Sequence, residues 1–207
     1  MEAAAQPGSR RAQIVTLTMN PALDLTTSVD VVRPTDKLRC ETTRYDPGGG
    51  GINVARVARV LGASASAIFP AGGGTGDVVM SLLNDAGVPF QHVAVNAATR
   101  ENFTVNETST GRQYRFVLPG PRLTFTEQTR CLDRLGFSAG SAQFVVASGS
   151  LPPGAAPDLY QRVPMSADSW APALFWTPLA ADCGAFPPVC ICSRRACVNC
   201  GNVSGVH

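Results

Sequence analysis

Four consecutive glycines, Gly48 to Gly51, constrain this 207-residue chain more than any other feature. A run without Cβ atoms is costly inside a helix or a strand, because glycine loses the most backbone entropy on ordering. Directly after it, Ile52, Val54, Val57, Ala58 and Leu61 recur at helical spacing, and Gly62 supplies a stop. The run therefore joins an extended segment to the first turn of a helix, whose leading N–H groups lack intrahelical partners. Missing side chains let a ligand approach the backbone, and Asn53 adds an amide that both donates and accepts. A flexible loop would have the same composition. The position ahead of a strongly periodic helix favours a ligand site.

The rest of the first 163 residues alternates strands and helices. Residues 13–19, 65–70, 91–95 and 143–148 read as buried strands, and Asn20-Pro21 ends the first. Helices are expected over DVVMSLLNDAG up to Gly87, from Thr126 to about Leu135, and from Pro157 onward past Val163. This pattern predicts an α/β fold with a parallel sheet covered by helices. Shorter, half-exposed strands at 27–33, 38–45, 102–108 and 113–118 predict a second small sheet attached like a lid.

Two more motifs follow strands, where open α/β sheets bind ligands. Asn20-Pro-Ala-Leu-Asp24 offers a carboxylate able to accept two hydroxyl hydrogen bonds, although such an aspartate is also a common turn residue. Ser148-Gly-Ser-Leu-Pro-Pro-Gly154 offers small hydroxyls, or is an ordinary Pro/Gly turn. Three such loops point to one shared site. Lys37, Arg39, Arg100 and Arg115 lie on or near the lid strands, and arginine recognises phosphate through a two-pronged fork. His92 reads as structural.

TLTMNPALD, KLRC, PGGGGINVARVARVLG, AIFPAGGGTG, QYRFVLPG and SGSLPPG, in this order and spacing, resemble the PfkB family of ribokinase-like carbohydrate kinases over roughly residues 12–163. KLRC and QYRFVLPG resemble the 6-phosphofructokinase branch. Glycine, where 1-phosphofructokinases and tagatose-6-phosphate kinases usually carry lysine, favours fructose 6-phosphate over those alternatives. The resemblance implies that Asp24, Gly49, Gly50 and Asn53 bind sugar hydroxyls and that Arg100 binds the sugar phosphate. It implies help from Lys37 or Arg39, across a dimer, and a pocket lined by Ser148 and Ser150. It further implies ATP and Mg²⁺ as cofactors and a cytoplasmic homodimer joined through the lid. The family places its catalytic aspartate in a C-terminal GAGD motif, which this sequence lacks together with the later nucleotide-binding segments. The expectation is a fold truncated in its C-terminal half and inactive as a catalyst, or a non-catalytic sugar-phosphate-binding or dimerising protein.

Composition fits that reading. With 44% apolar and 15% charged residues and a net charge of +2, neither nucleic acid nor a membrane surface is an expected partner. Residues 1–11 read as a disordered leader. After Val163 the character changes: Cys183, Cys190, Cys192, Cys197 and Cys200 fall in a stretch with few charges. C-x-C-x4-C-x2-C matches no common zinc spacing closely, which leaves a zinc module as the lesser alternative. The favoured reading of 164–207 is a disordered tail translated in a shifted frame. Read one nucleotide earlier, Trp170-Ala171 must include glycine, and Phe175-Trp176-Thr177 must give Leu-Asp. GC-rich codon choices then yield further family-like segments.

Overall fold

A computed structural model of the chain describes residues 13–162 and the short strands 173–177, 191–193 and 196–198. The leader and the remainder of the tail lie outside the described residues; of the helix expected from Pro157 past Val163, the described part is a 3₁₀ turn at Leu159–Arg162. The first sheet has five strands: β1 (Gln13–Leu17), β4 (Ser64–Ala71), β5 (Phe90–Ala94), β8 (Phe144–Ser148) and β9 (Ala173–Thr177), in the order β5-β4-β1-β8-β9. Every pairing in it is parallel. The second sheet holds β2 (Ala22–Val29), β3 (Arg44–Gly48), β6 (Arg100–Glu107) and β7 (Gln113–Val117), in the order β3-β2-β6-β7.

Both faces of the parallel sheet are covered, as their near-continuous apolar strands require. Helix α3 (Phe125–Ala139) packs Cys131, Leu132 and Leu135 against Val15, Leu17, Ile68 and Val145. Helices α1 (Gly50–Val60) and α2 (Gly73–Asp85) bury Ile52, Ala55, Val79 and Leu83 against Ala65, Ala67 and Phe69 on the other face. Alternation along β4 explains the split, since Ile68 and its neighbours Ala67 and Phe69 point opposite ways. Thr124 and Glu127 close a reciprocal capping box at the start of α3.

Two expectations need correction. Strand β2 begins at Ala22, not 27, so Asp24 lies within a strand of the second sheet rather than in a loop. Alternation already starts there: Leu23 joins the core of the α1 face, and the register pairs Asp24 with both Asp46 and Asn102. Strand β3 runs over Arg44–Gly48 rather than 38–45; at the sheet edge, Pro47 is tolerated. In the tail, Ala173–Thr177 pairs along β8, and Ile191–Ser193 (β10) pairs antiparallel with Ala196–Val198 (β11). ALFWT is an uncharged, apolar run, the composition that completes the open edge of a buried parallel strand.

Candidate sugar-phosphate site

From β1 the chain crosses first to β4 and β5 on one side and later to β8 on the other. The strand order thus reverses between β1 and β8, and their C-terminal ends form the crevice in which such sheets take ligands. Thr18–Asn20 and Ser148–Ser150 occupy these ends, and the start of α1 drops into the gap between them.

The glycine run is packed against the chain itself. A Cβ on Gly50 would stand 2.5 Å from Ser148 Oγ and 2.7 Å from Gly149 N, and one on Gly51 would stand 2.6 Å from Leu17 O. A Cβ on Gly48 would meet the Asp24 carboxylate at 2.3 Å. Gly49 has φ +123°, a conformation open to glycine and rarely to other residues. The absent side chains make room for β1, β8 and Asp24, so the run serves close packing of elements that then face one another. Thr18 Oγ1 accepts the free N–H of Ile52 at 3.0 Å, tying the helix start to the end of β1. Asn53 is exposed in the first turn, and its N–H donates to Gly49 O at 2.9 Å.

Asp24 Oδ1 accepts from Asn102 Nδ2 at 2.7 Å, and Asn102 Oδ1 in turn accepts from Leu118 N at 3.2 Å. Arg100, two residues back on β6, spreads its guanidinium over three acceptors: Leu118 O at 2.9 Å, Asn20 O at 3.2 Å and Ser150 Oγ at 3.4 Å. Its Nε is buried without a partner. Burial holds the Arg100 pKa below its usual value, and the nearby Asp24 charge opposes that fall. Asn20 Nδ2 donates to Ser150 Oγ at 3.1 Å, which joins the loops after β1 and β8. Tyr160 lies beneath both: its hydroxyl accepts from Met19 N and donates to Gly149 O, each at 3.4 Å.

Asp24, Gly49, Gly50, Asn53, Arg100, Ser148 and Ser150 therefore gather around one crevice. Lys37 and Arg39 do not join them within the chain. Both are exposed and line a separate open groove of about 310 Å³ with Asp30, Arg33 and Asp36. Sequence reading missed Thr18, Asn102, Leu118 and Tyr160 as supports. Thr18, a polar residue in an otherwise apolar strand, and Asn102, two positions from Arg100 and so on its face, carried detectable signals. Tyr160 carried none. Among the described residues, no group of three or more His, Cys, Asp or Glu side chains could hold a metal ion.

The pattern of the pfkB family carbohydrate kinases matches residues 17–172, nine positions beyond the resemblance read from the motifs. The chain is 67% identical over 153 residues to ATP-dependent 6-phosphofructokinase isozyme 2 of Mycobacterium tuberculosis, covering 74% of this chain and 45% of that protein. It is 47% identical over 142 residues to the isozyme 2 enzyme of Escherichia coli K12, covering 69% and 46%. The crystal structure of E. coli phosphofructokinase-2 in complex with fructose-6-phosphate superposes with a TM-score of 0.75 at 40% identity, over 81% of this chain and 55% of that one. The chain spans about half the length of these relatives. On the family match, the two sheets and the glycine-opened helix between them, the chain belongs to the pfkB family of carbohydrate kinases.

Proposed function

We propose that this chain supplies the sugar-phosphate side of an ATP-dependent 6-phosphofructokinase, which converts fructose 6-phosphate to fructose 1,6-bisphosphate. One observation carries the reading: the Asp24 charge acts on the Arg100 guanidinium, and the Leu118 peptide bonds Arg100 directly and Asp24 by way of Asn102. A carboxylate accepts sugar hydroxyls, and a guanidinium fork recognises phosphate. Gly49, Gly50 and Asn53 line the sugar between them, with Ser148 and Ser150 on the β8 side. The names of the relatives supply the substrate, and fructose 6-phosphate is preferred over the substrates of 1-phosphofructokinase and tagatose-6-phosphate kinase.

In the reaction, the sugar hydroxyl oxygen bonds to the γ-phosphorus of ATP, the bond to ADP breaks, and the hydroxyl proton passes to a base. This chain's own residues bind and orient the sugar phosphate.

A second reading concerns assembly. Tyr45, Leu25, Phe103 and Phe116 form a cross-strand row on the second sheet, and Tyr45, Phe103 and Phe116 are 47%, 36% and 56% exposed. An exposed aromatic row of this kind favours a homodimer through the lid, with Lys37 and Arg39 reaching the partner's site.

Ligand-dependent melting and a coupled assay for ADP release test the reading together. A melting shift with fructose 6-phosphate but no turnover at ordinary enzyme rates is expected. No shift at millimolar ligand counts against the sugar site, and rapid turnover would show that the base and nucleotide site lie within this chain.

A further inference from the structure

Among the described residues, Asn102 donates a side-chain hydrogen bond to the Asp24 carboxylate at 2.7 Å. Its amide has a single sense. Leu118 N–H can only donate, so the oxygen of Asn102 faces Leu118 and the nitrogen faces Asp24. The other carboxylate oxygen lies against Gly48, where a Cβ would stand 2.3 Å away. Asp24 is thus fixed at Oδ1 by a donor and crowded at Oδ2 by backbone. The Leu118 peptide uses its other end as well: its carbonyl accepts from Arg100 Nη1 at 2.9 Å. One peptide group therefore connects the hydroxyl-binding carboxylate with the phosphate-binding guanidinium.

We propose that Asn102 is a positioning residue for sugar recognition: it orients Asp24 and, through the Leu118 peptide, sets that carboxylate relative to Arg100. The inference rests on the proposed function. Asn102 acts through Asp24: its donor at Oδ1, together with the Gly48 backbone beside Oδ2, fixes the plane of the carboxylate that sugar hydroxyls would meet. A carboxylate free to rotate would lose orientation before it could accept a hydroxyl hydrogen bond. Phosphate recognition at Arg100 does not pass through Asn102, so the effect is selective for the sugar end.

The test uses the whole chain with Asn102→Ala, Asn102→Asp, Asp24→Ala and the Asp24→Ala/Asn102→Ala pair, titrated with fructose 6-phosphate and with inorganic phosphate. Asn102→Asp keeps an oxygen for Leu118 N–H but turns the donor to Asp24 into a second acceptor. Both single Asn102 variants are expected to weaken fructose 6-phosphate binding about tenfold, as for a hydrogen bond to a charged group, and to leave inorganic phosphate unchanged. In the Asp24→Ala background, Asn102→Ala is expected to add nothing. An equal loss in both backgrounds, or an equal loss for inorganic phosphate, overturns the proposal. If the unsubstituted chain binds no fructose 6-phosphate, the proposed function falls. The positioning claim is then decided by the Asn102 side-chain amide protons: slow exchange that Asp24→Ala abolishes supports it, and unaltered exchange overturns it.

Discussion

Gly50 and Ser148 lie so close that a Cβ on Gly50 would stand 2.5 Å from the serine Oγ and 2.9 Å from the serine carbonyl carbon. Two elements separated by nearly a hundred residues meet there without a side chain between them. Helix α1 can enter the crevice between β1 and β8 only because position 50 is bare. Gly50→Ala is expected to cost about 1–3 kcal/mol by overpacking, since backbone atoms of Ser148 and Gly149 cannot step aside. Gly74, exposed in α2 with nothing near its absent Cβ, makes the contrast. Gly74→Ala should stabilise by up to about 1 kcal/mol through helix propensity. Urea midpoints of the two variants, moving in opposite directions, check the account.

Much of the parallel sheet was legible because its strands are apolar runs punctuated by glycine and proline, and α1 because five apolar residues keep one face. The limits of β2 and β3 were not. Asn20-Pro21 ends β1 and resembles the start of a loop, while the alternation of Leu23, Asp24, Leu25 and Thr26 that begins the second sheet is short and half-buried. The glycine run was rightly placed at a helix start. Its nearest purpose, admitting Asp24, Leu17 and Ser148, depends on contacts far apart in sequence and could not be read locally.

Tyr160 and Cys131 are both buried beneath the site, and burial pushes each pKa up to about 12. A group whose folded pKa is raised stabilises fully below its unfolded pKa and loses that contribution as pH climbs through the folded value. Alkaline destabilisation should therefore begin above the ordinary thiol range near 9 and the phenol value of 10 and continue to about 12. Tyr160→Phe should remove the phenol contribution and leave Met19 N–H without its acceptor, at a cost of about 1 kcal/mol at neutral pH. Melting temperature against pH measures both effects. Peptide mapping after thiol alkylation should find exposed Cys40 modified and buried Cys131 protected in the folded chain.

Glu107 fastens the segment that leads to Lys37 and Arg39. Its carboxylate accepts from the Thr110 hydroxyl and from Val32 N, the latter at 2.7 Å, and also from Tyr114 OH at 3.4 Å. The Thr110 hydrogen bond foremost, then that from Val32, holds its pKa below the usual carboxylate value, against the opposing effect of burial. A depressed carboxylate stabilises above its unfolded pKa, and the contribution disappears as pH falls through the lower folded value. Acidification below the usual range near 4.5 should therefore loosen residues 30–33. Glu107→Gln should show faster amide exchange at Val32 already at neutral pH and less acid dependence. Equal exchange in both proteins would contradict the clamp.

The change of composition after Val163 makes a separate prediction at the level of DNA. Adding or removing one nucleotide near that codon should restore a continuous family sequence, with Leu-Asp where Phe175-Trp176-Thr177 now stands. Sequencing the coding region decides this, and the absence of a family-like alternative frame would refute it.

The central claim, that this chain holds a sugar-phosphate site between Asp24 and Arg100, is tested most directly by calorimetric titration of fructose 6-phosphate into the chain and its Arg100→Lys and Asp24→Ala variants. Lysine keeps the charge but cannot span Leu118, Asn20 and Ser150 as the guanidinium does. The account predicts saturable binding that each substitution weakens at least about tenfold. Binding that survives both substitutions unchanged, or no saturable binding at millimolar ligand by the unsubstituted chain, would contradict it.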